Sequence, residues 1–118
     1  MQIPKNAVLL RVFIGENDKN HHQPLYEAIV LKAREMGLSG ATVLRGPMGF
    51  GHSSRLHTAK ILRLSEDLPV VIELVDGEEK INAFLPALDA LMKDGSGLIT
   101  LENVQVLRYG SDAAAAPR

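Results

Sequence analysis

Hydrophobic residues along the chain follow two spacings, one typical of strands and one typical of helices. Residues 8–14 (VLLRVFI) and 70–75 (VVIELV) are short, apolar and rich in β-branched side chains, which predicts buried strands. Residues 41–45 predict another strand, and the apolar residues within 98–107 predict a last strand or a pair of strands. Residues 56–67 fit either a strand or a short helix.

Two stretches carry the helical spacing. Within residues 24–37, apolar side chains recur at intervals of three and four between an opening proline and a closing glycine, which predicts a helix. Residues 81–92 show the same spacing, and Asp76 followed by Glu79 predicts a capping box before them. Pro86 is predicted to kink or split this second helix because proline lacks a backbone N–H.

The predicted order of elements is β-α-β-β-α-β. This order is typical of an α+β ferredoxin-like sandwich, with a four-stranded antiparallel sheet and two helices on one face. Strands this apolar are usually buried on both faces. We therefore expect an oligomer that buries the face of the sheet without helices. We expect residues 1–110 to form a single domain and residues 111–118, which include four alanines, to form a disordered tail.

Composition narrows the class of protein. The chain has 118 residues with 13 basic and 14 acidic side chains, and this balance argues against a nucleic-acid binder. No apolar run approaches the ~20 residues of a membrane span, and the start of the chain does not resemble a signal peptide. The chain has no cysteine, which excludes thiol chemistry and agrees with a cytoplasmic location. Adjacent His21 and His22 are interpreted as solvated, and no metal site is predicted.

Residues 46–55 carry the most candidate chemistry. Their glycines allow backbone N–H groups to approach an anion, and His52, Arg55 and His57 add hydrogen bonds or positive charge. Residues 46–53 match a P-loop except that His52 stands where the phosphate-binding lysine belongs. Three hypotheses stay open at this point: a loop that contacts a phosphate or nucleotide, a small phosphate-handling enzyme using His52 and His57, and a loop without a ligand.

Several motifs resemble the PII signal-transduction proteins in the same order along the chain. They are residues 37–43 (GLSGATV), 49–51 (GFG), 57–58, 68–75, 95–99 (GSGLI) and 107–110 (LRYG). Three further segments resemble the PII-like family called domain of unknown function 190. They are residues 13–16 (FIGE), 24–30 (PLYEAIV) and 61–69 (ILRLSEDLP). The chain is therefore identified as a PII-like member of that uncharacterised family.

The resemblance implies a non-enzymatic homotrimeric regulator that binds an adenine nucleotide or another anion in clefts between subunits. No further cofactor is implied. It also implies that the loop of residues 46–67 contacts a partner protein, for which a membrane transporter is a candidate. By motif matching, and by charge for Arg55, the ligand-binding candidates are Thr42, Gly49, Phe50, Gly51, His52, Arg55, Gly95, Gly97 and Arg108.

The chain also departs from the PII pattern at charged positions. Leu98 stands in place of a lysine, Val106 in place of an arginine, and Val70 in place of the lysine that pairs 2-oxoglutarate. Ser53 stands where PII proteins have a glutamine that helps to hold magnesium. Because charge-assisted hydrogen bonds contribute ~1.5–3 kcal/mol each, losing two cations predicts ATP binding weaker by about a hundredfold or more.

Overall fold

The apolar runs form the strands of one antiparallel sheet. The computed structural model describes residues 3–51, 57–58, 67–93, 97–110 and 112–113. Its main elements are β1 (Asn6–Gly15), α1 (Leu25–Glu35), β2 (Thr42–Arg45), β3 (Pro69–Asp76), α2 (Glu78–Met92) and β4 (Leu98–Gln105). The sheet order is β2-β3-β1-β4 with every pair antiparallel. This confirms the predicted ferredoxin-like α+β fold.

The core lies between the two helices and one face of the two central strands. Alternate residues of β1 and β3 point to this face because side chains alternate along a strand. They pack against the inner faces of α1 and α2, where Phe84 is fully buried. The core residues are Val8, Leu10, Val12, Ile14, Leu25, Ile29, Ala33, Val70, Ile72, Leu74, Ile81, Phe84 and Leu88.

The other face of the sheet carries an ion-pair network among apolar side chains. On β1, Arg11 donates from Nε to Oε2 of Glu73 at 2.9 Å and from Nη1 to Oε1 of Glu102 at 3.2 Å. The hydrogen bond to Glu73 raises the pKa of the Arg11 guanidinium, and the charge of Glu102 adds to the effect. At the edges of the sheet, Leu44 and Leu98 remain exposed. A single chain leaves this apolar area exposed to solvent, and the oligomer predicted from the sequence would bury it.

One sequence-based prediction about α2 is wrong, and one of the two alternatives predicted for Pro86 is excluded. The residue before the helix is Gly77, and no side chain caps its first turn, so Asp76 and Glu79 form no capping box. Asp76 instead ends β3 and is buried, where its carboxylate accepts the N–H groups of Gly77 and Ser39. Pro86 lies inside a helix assigned without a break from Glu78 to Met92, so it does not split the helix.

Three short pairings extend the fold beyond the sheet. Lys19–Asn20 pairs with Gln23–Pro24, Met48–Gly49 with His57–Thr58, and Arg108–Tyr109 with Asp112–Ala113. The last strand of the sheet is a single element, β4, rather than a pair. Most of residues 56–67 and of the predicted tail lie outside the described residues. Within the described ranges, none of the helices has the length and apolar composition that crossing a membrane requires.

Candidate functional site

Two glycines of the predicted loop pack around one proline ring. A Cβ atom added to Gly46 or to Gly49 would lie 3.0 Å from Cγ of Pro69, and the Gly46 N–H donates to the Pro69 carbonyl at 2.8 Å. Pro69 pairs with Gly15, the last residue of β1. The start of the 46–67 loop is thus held against the end of the central strands, and packing on Pro69 accounts for both glycines.

Gly97 lies at the same end of the sheet, on the other side of β1. An added Cβ would overlap the terminal methyl of Met92 and come within 3.2 Å of both Cγ2 of Ile14 and the Phe13 carbonyl oxygen. The Met92 methyl ends a flexible side chain and can shift, whereas the Phe13 carbonyl is backbone, so a side chain at Gly97 has little room. We call the end of the sheet that holds Gly15, Gly46, Gly49 and Gly97 the glycine end.

Charged side chains surround the glycine end. Arg45 is 61% exposed and pairs with Glu16, with 2.5 Å between Nη2 and Oε2. The carboxylates of Asp18 and Asp67 accept the backbone N–H groups of Gly15 and Asn17 at 2.9 Å. An anion at the glycine end would therefore face acidic neighbours and would compete with Glu16 for the guanidinium.

Arg45 is the residue at this end that sequence reasoning missed. Its position in the sequence could have identified it, since it is the last residue of a predicted strand and directly precedes the glycine-rich loop. Phe50 and Met48, which follow it, are 74% and 57% exposed. Gly51 is also exposed. The first part of the loop therefore presents apolar side chains next to a cation.

Thr42 and Arg108 lie away from the glycine end. Thr42 pairs with Glu73 on β3, and Glu73 pairs with Arg11 on β1. Thr42 therefore lies level with Arg11, which is four residues along β1 from Gly15, or about 13 Å at the usual rise of a strand.

Arg108 belongs to the opposite end of the sheet. The Val106 N–H donates to the Lys5 carbonyl at 2.7 Å, just before β1 begins. The Tyr109 hydroxyl donates to the Ser39 carbonyl at 2.6 Å. Because Asn6 and Gly15, the two ends of β1, are nine residue steps apart, Arg108 is roughly 30 Å from Gly97 within one chain.

The remaining candidates lie outside the described residues. These candidates are His52, Arg55 and Gly95, and for His57 only the backbone is described. Within the described ranges, no three His, Cys, Asp or Glu side chains cluster in a way that could hold a metal ion. His21 and His22 form the exposed turn between two short strands, and His21 adopts a positive φ of 58°.

Comparisons with known proteins point to one family and one fold. The model of the DUF190 family, described as Uncharacterized ACR, matches residues 7–106. A protein called UPF0166 from Aquifex aeolicus is 40% identical over 99 residues, which cover 84% of this chain and 91% of that protein. A second UPF0166 protein, from Methanocaldococcus jannaschii, is 38% identical over 102 residues, covering 86% and 93%.

A solved structure is similar in its fold. It is CPII, a nitrogen regulatory PII-like protein from Thiomonas intermedia K12, bound to ADP, AMP and bicarbonate. The TM-score is 0.68 and the identity 17%, with 87% of this chain and 90% of that chain covered. The likeness confirms the PII-like fold that the motifs predicted.

Proposed function

The chain belongs to the DUF190 family, and from this membership and its PII-like fold we propose that it is a cytoplasmic regulatory protein rather than an enzyme. In this proposal it assembles as a homotrimer and binds a small anionic ligand between subunits. The loop of residues 46–67 then contacts a partner protein. The candidate site residues keep the roles that the sequence predicted for them.

The separation of Arg108 from the glycine end is the observation that carries the proposal. Both were predicted to contact the same ligand, yet one chain holds them roughly 30 Å apart. A ligand can meet both only if Arg108 comes from a neighbouring copy. The exposed apolar residues at the sheet edges, which include Leu44 and Leu98, give a neighbouring copy a surface to bury.

An adenine nucleotide is the ligand class that we propose for this cleft. The related fold of CPII binds ADP and AMP. In this chain Arg45 and Arg108 are the described cations that could contact phosphates, and the absence of the PII lysine at Leu98 favours ligands with fewer phosphates than ATP. Because Glu16 already pairs with Arg45, binding a phosphate there requires this ion pair to open.

The partner surface that we propose starts at Met48 and Phe50. A large aromatic side chain that is 74% exposed is typical of an interaction surface when it lies beside other exposed apolar groups. A ligand at the glycine end would act on this surface by favouring one arrangement of the loop over others. A membrane transporter is the candidate partner.

Native mass spectrometry tests assembly and ligand together. Wild-type protein is measured alone and with ATP, ADP, AMP and bicarbonate. We expect a mass of three chains and a nucleotide adduct, with ATP the weakest. The variant Arg108→Gln should lose the adduct, whereas Arg34→Gln, which changes an exposed arginine on α1, should keep it.

Mixed trimers test whether Arg108 acts on a neighbouring copy. Gly97→Ala and Arg108→Gln should each abolish the adduct, and a refolded equal mixture should restore it in about a quarter of the clefts. If Gly97→Ala does not fold, Gly49→Ala replaces it, because its Cβ would contact only the Pro69 ring. A monomeric wild type, or full binding by Arg108→Gln alone, would overturn the proposal.

A further inference from the structure

A cleft of about 540 Å³ lies at the end of the sheet opposite the glycine end. The start of β1, the end of β4 and the first turn of α2 form its walls. Buried Ala7 and Val8 give it an apolar lining. Its volume is in the range of small-molecule sites.

Three carboxamide side chains border this cleft on one face of two paired strands. Asn6 pairs with Gln105, and Val8 pairs with Asn103, so alternation places the three amides on the same side of the sheet. Directly paired residues have Cβ atoms about 5 Å apart, and diagonal neighbours about 7–8 Å. One small planar group can therefore contact more than one of these amides.

The polar side chains of the cleft have hydrogen-bond donors and acceptors that the described part of the chain does not use. Among the described residues, the side chains of Asn6, Asn103, Gln105 and Glu78 form no hydrogen bond within the chain. Each carboxamide offers two donors and an acceptor, and the Glu78 carboxylate only accepts. The cleft has no lysine or arginine among its lining residues, and the negative charge of Glu78 disfavours an anion. A suitable ligand is neutral and carries a donor next to an acceptor.

We propose that this cleft binds an amino-bearing nucleobase through these carboxamides and Glu78. Asn and Gln amides form paired hydrogen bonds with the amino group and ring nitrogen of adenine, and a carboxylate accepts from the amino group of cytosine. The inference goes beyond the proposed function, because this site needs no phosphate. Within one chain it lies roughly 30 Å from the glycine end, and in the proposed trimer its end of the sheet, which carries Arg108, meets the glycine end of a neighbour.

Two-dimensional ¹⁵N–¹H spectra test the site directly, since asparagine and glutamine NH₂ groups give their own resonances. The uniformly labelled full chain is titrated with adenosine and cytidine, and in parallel with inosine and uridine, which carry a carbonyl in place of the amino group. We expect adenosine or cytidine to shift the NH₂ resonances of Asn6, Asn103 and Gln105. Binding should be about tenfold weaker without the amino group, as expected for one hydrogen bond.

Variants separate this cleft from the proposed nucleotide site. Asn103→Leu and Gln105→Leu should each remove the shifts, while Asn82→Leu, at an exposed position of α2, should leave them unchanged. Equal binding of inosine and adenosine, or the absence of shifts at these amides up to the solubility of the nucleosides, would overturn the inference. The backbone resonances of Gly49 and Gly97 report the glycine end in the same spectra, so adenosine that shifts the three amides without shifting these glycines binds the cleft, whereas shifts at the glycines alone assign it to the proposed nucleotide site.

Discussion

Replacement of Asp76 tests whether its buried carboxylate holds three parts of the chain together. Asp76 is only 3% exposed, and its two carboxylate oxygens accept the N–H of Ser39 at 2.9 Å and of Gly77 at 2.7 Å. Ser39 in turn donates from Oγ to the Val75 carbonyl at 2.6 Å and accepts from the Tyr109 hydroxyl. One carboxylate thus joins the α1–β2 connection to the turn before α2, and through Ser39 to the C-terminal hairpin.

The magnitude follows from the two N–H groups that lose their acceptor in Asp76→Ala. A hydrogen bond to a charged group contributes ~1.5–3 kcal/mol, and Ser39 is only half-buried, so water can recover part of the second bond. We expect a loss of about 2–4 kcal/mol in the free energy of unfolding for Asp76→Ala. Asp76→Asn, which keeps one acceptor but turns an NH₂ group toward the other N–H, should lose about 1.5–3 kcal/mol.

Urea unfolding at fixed protomer concentration measures this loss as a lower midpoint with an unchanged slope. Asp89→Ala is the matched control, since Asp89 is exposed on α2 and should change the free energy by less than about 0.5 kcal/mol. If the free energy of unfolding of Asp76→Asn equalled that of the wild type within experimental error, the carboxylate would not hold these parts of the chain together.

Three further predictions concern the turn, the hairpin and the glycine end. Because His21 adopts a positive φ, His21→Gly should raise the free energy of unfolding by about 0.5–1 kcal/mol in the same urea assay, whereas His22→Gly should not raise it. If Tyr109 positions Arg108 through its hydroxyl, Tyr109→Phe should weaken AMP binding several-fold by calorimetry, and AMP binding equal to that of the wild type would contradict this. Gly97→Ala should lower the thermal midpoint, since its Cβ has no space, and a midpoint equal to that of the wild type would show that the neighbouring side chains move aside.

Sequence patterns predicted the fold well because burial repeats regularly along its elements. Residues 8–14 and 70–75 became the centres of β1 and β3, and the helical spacings became α1 and α2. The error at Asp76 arose because its carboxylate had one partner nearby in the sequence and another far away in the sequence. Asp76 fits a capping box by spacing, but the structure uses its carboxylate for Ser39, which is 37 residues away. No local pattern contains that contact.

The candidate site was harder to predict because its glycines serve packing as well as any ligand. Spacing suggested that Gly49 admits a phosphate, yet close packing on the Pro69 ring already favours glycine at this position. Gly97 is likewise explained by its closeness to Phe13 and Ile14. The glycines alone therefore do not distinguish a binding loop from a tightly packed one.

The arrangement of charged side chains can distinguish a binding loop from a tightly packed one, and these side chains are spread unevenly over the sheet. Among the described residues of the glycine end, Arg45 pairs with Glu16 and the carboxylates of Asp18 and Asp67 lie nearby, so these side chains alone make a poor anion site. Among the described cations, Arg108 of a neighbouring copy could help a phosphate to compete with Glu16, whereas Arg108 of the same chain is too far away. If the proposed assembly forms, ligand binding and subunit association are linked, because each cleft gains Arg108 from a neighbour. Dilution should then weaken nucleotide binding in step with dissociation of the trimer, and affinity independent of protein concentration across that dissociation would exclude the linkage.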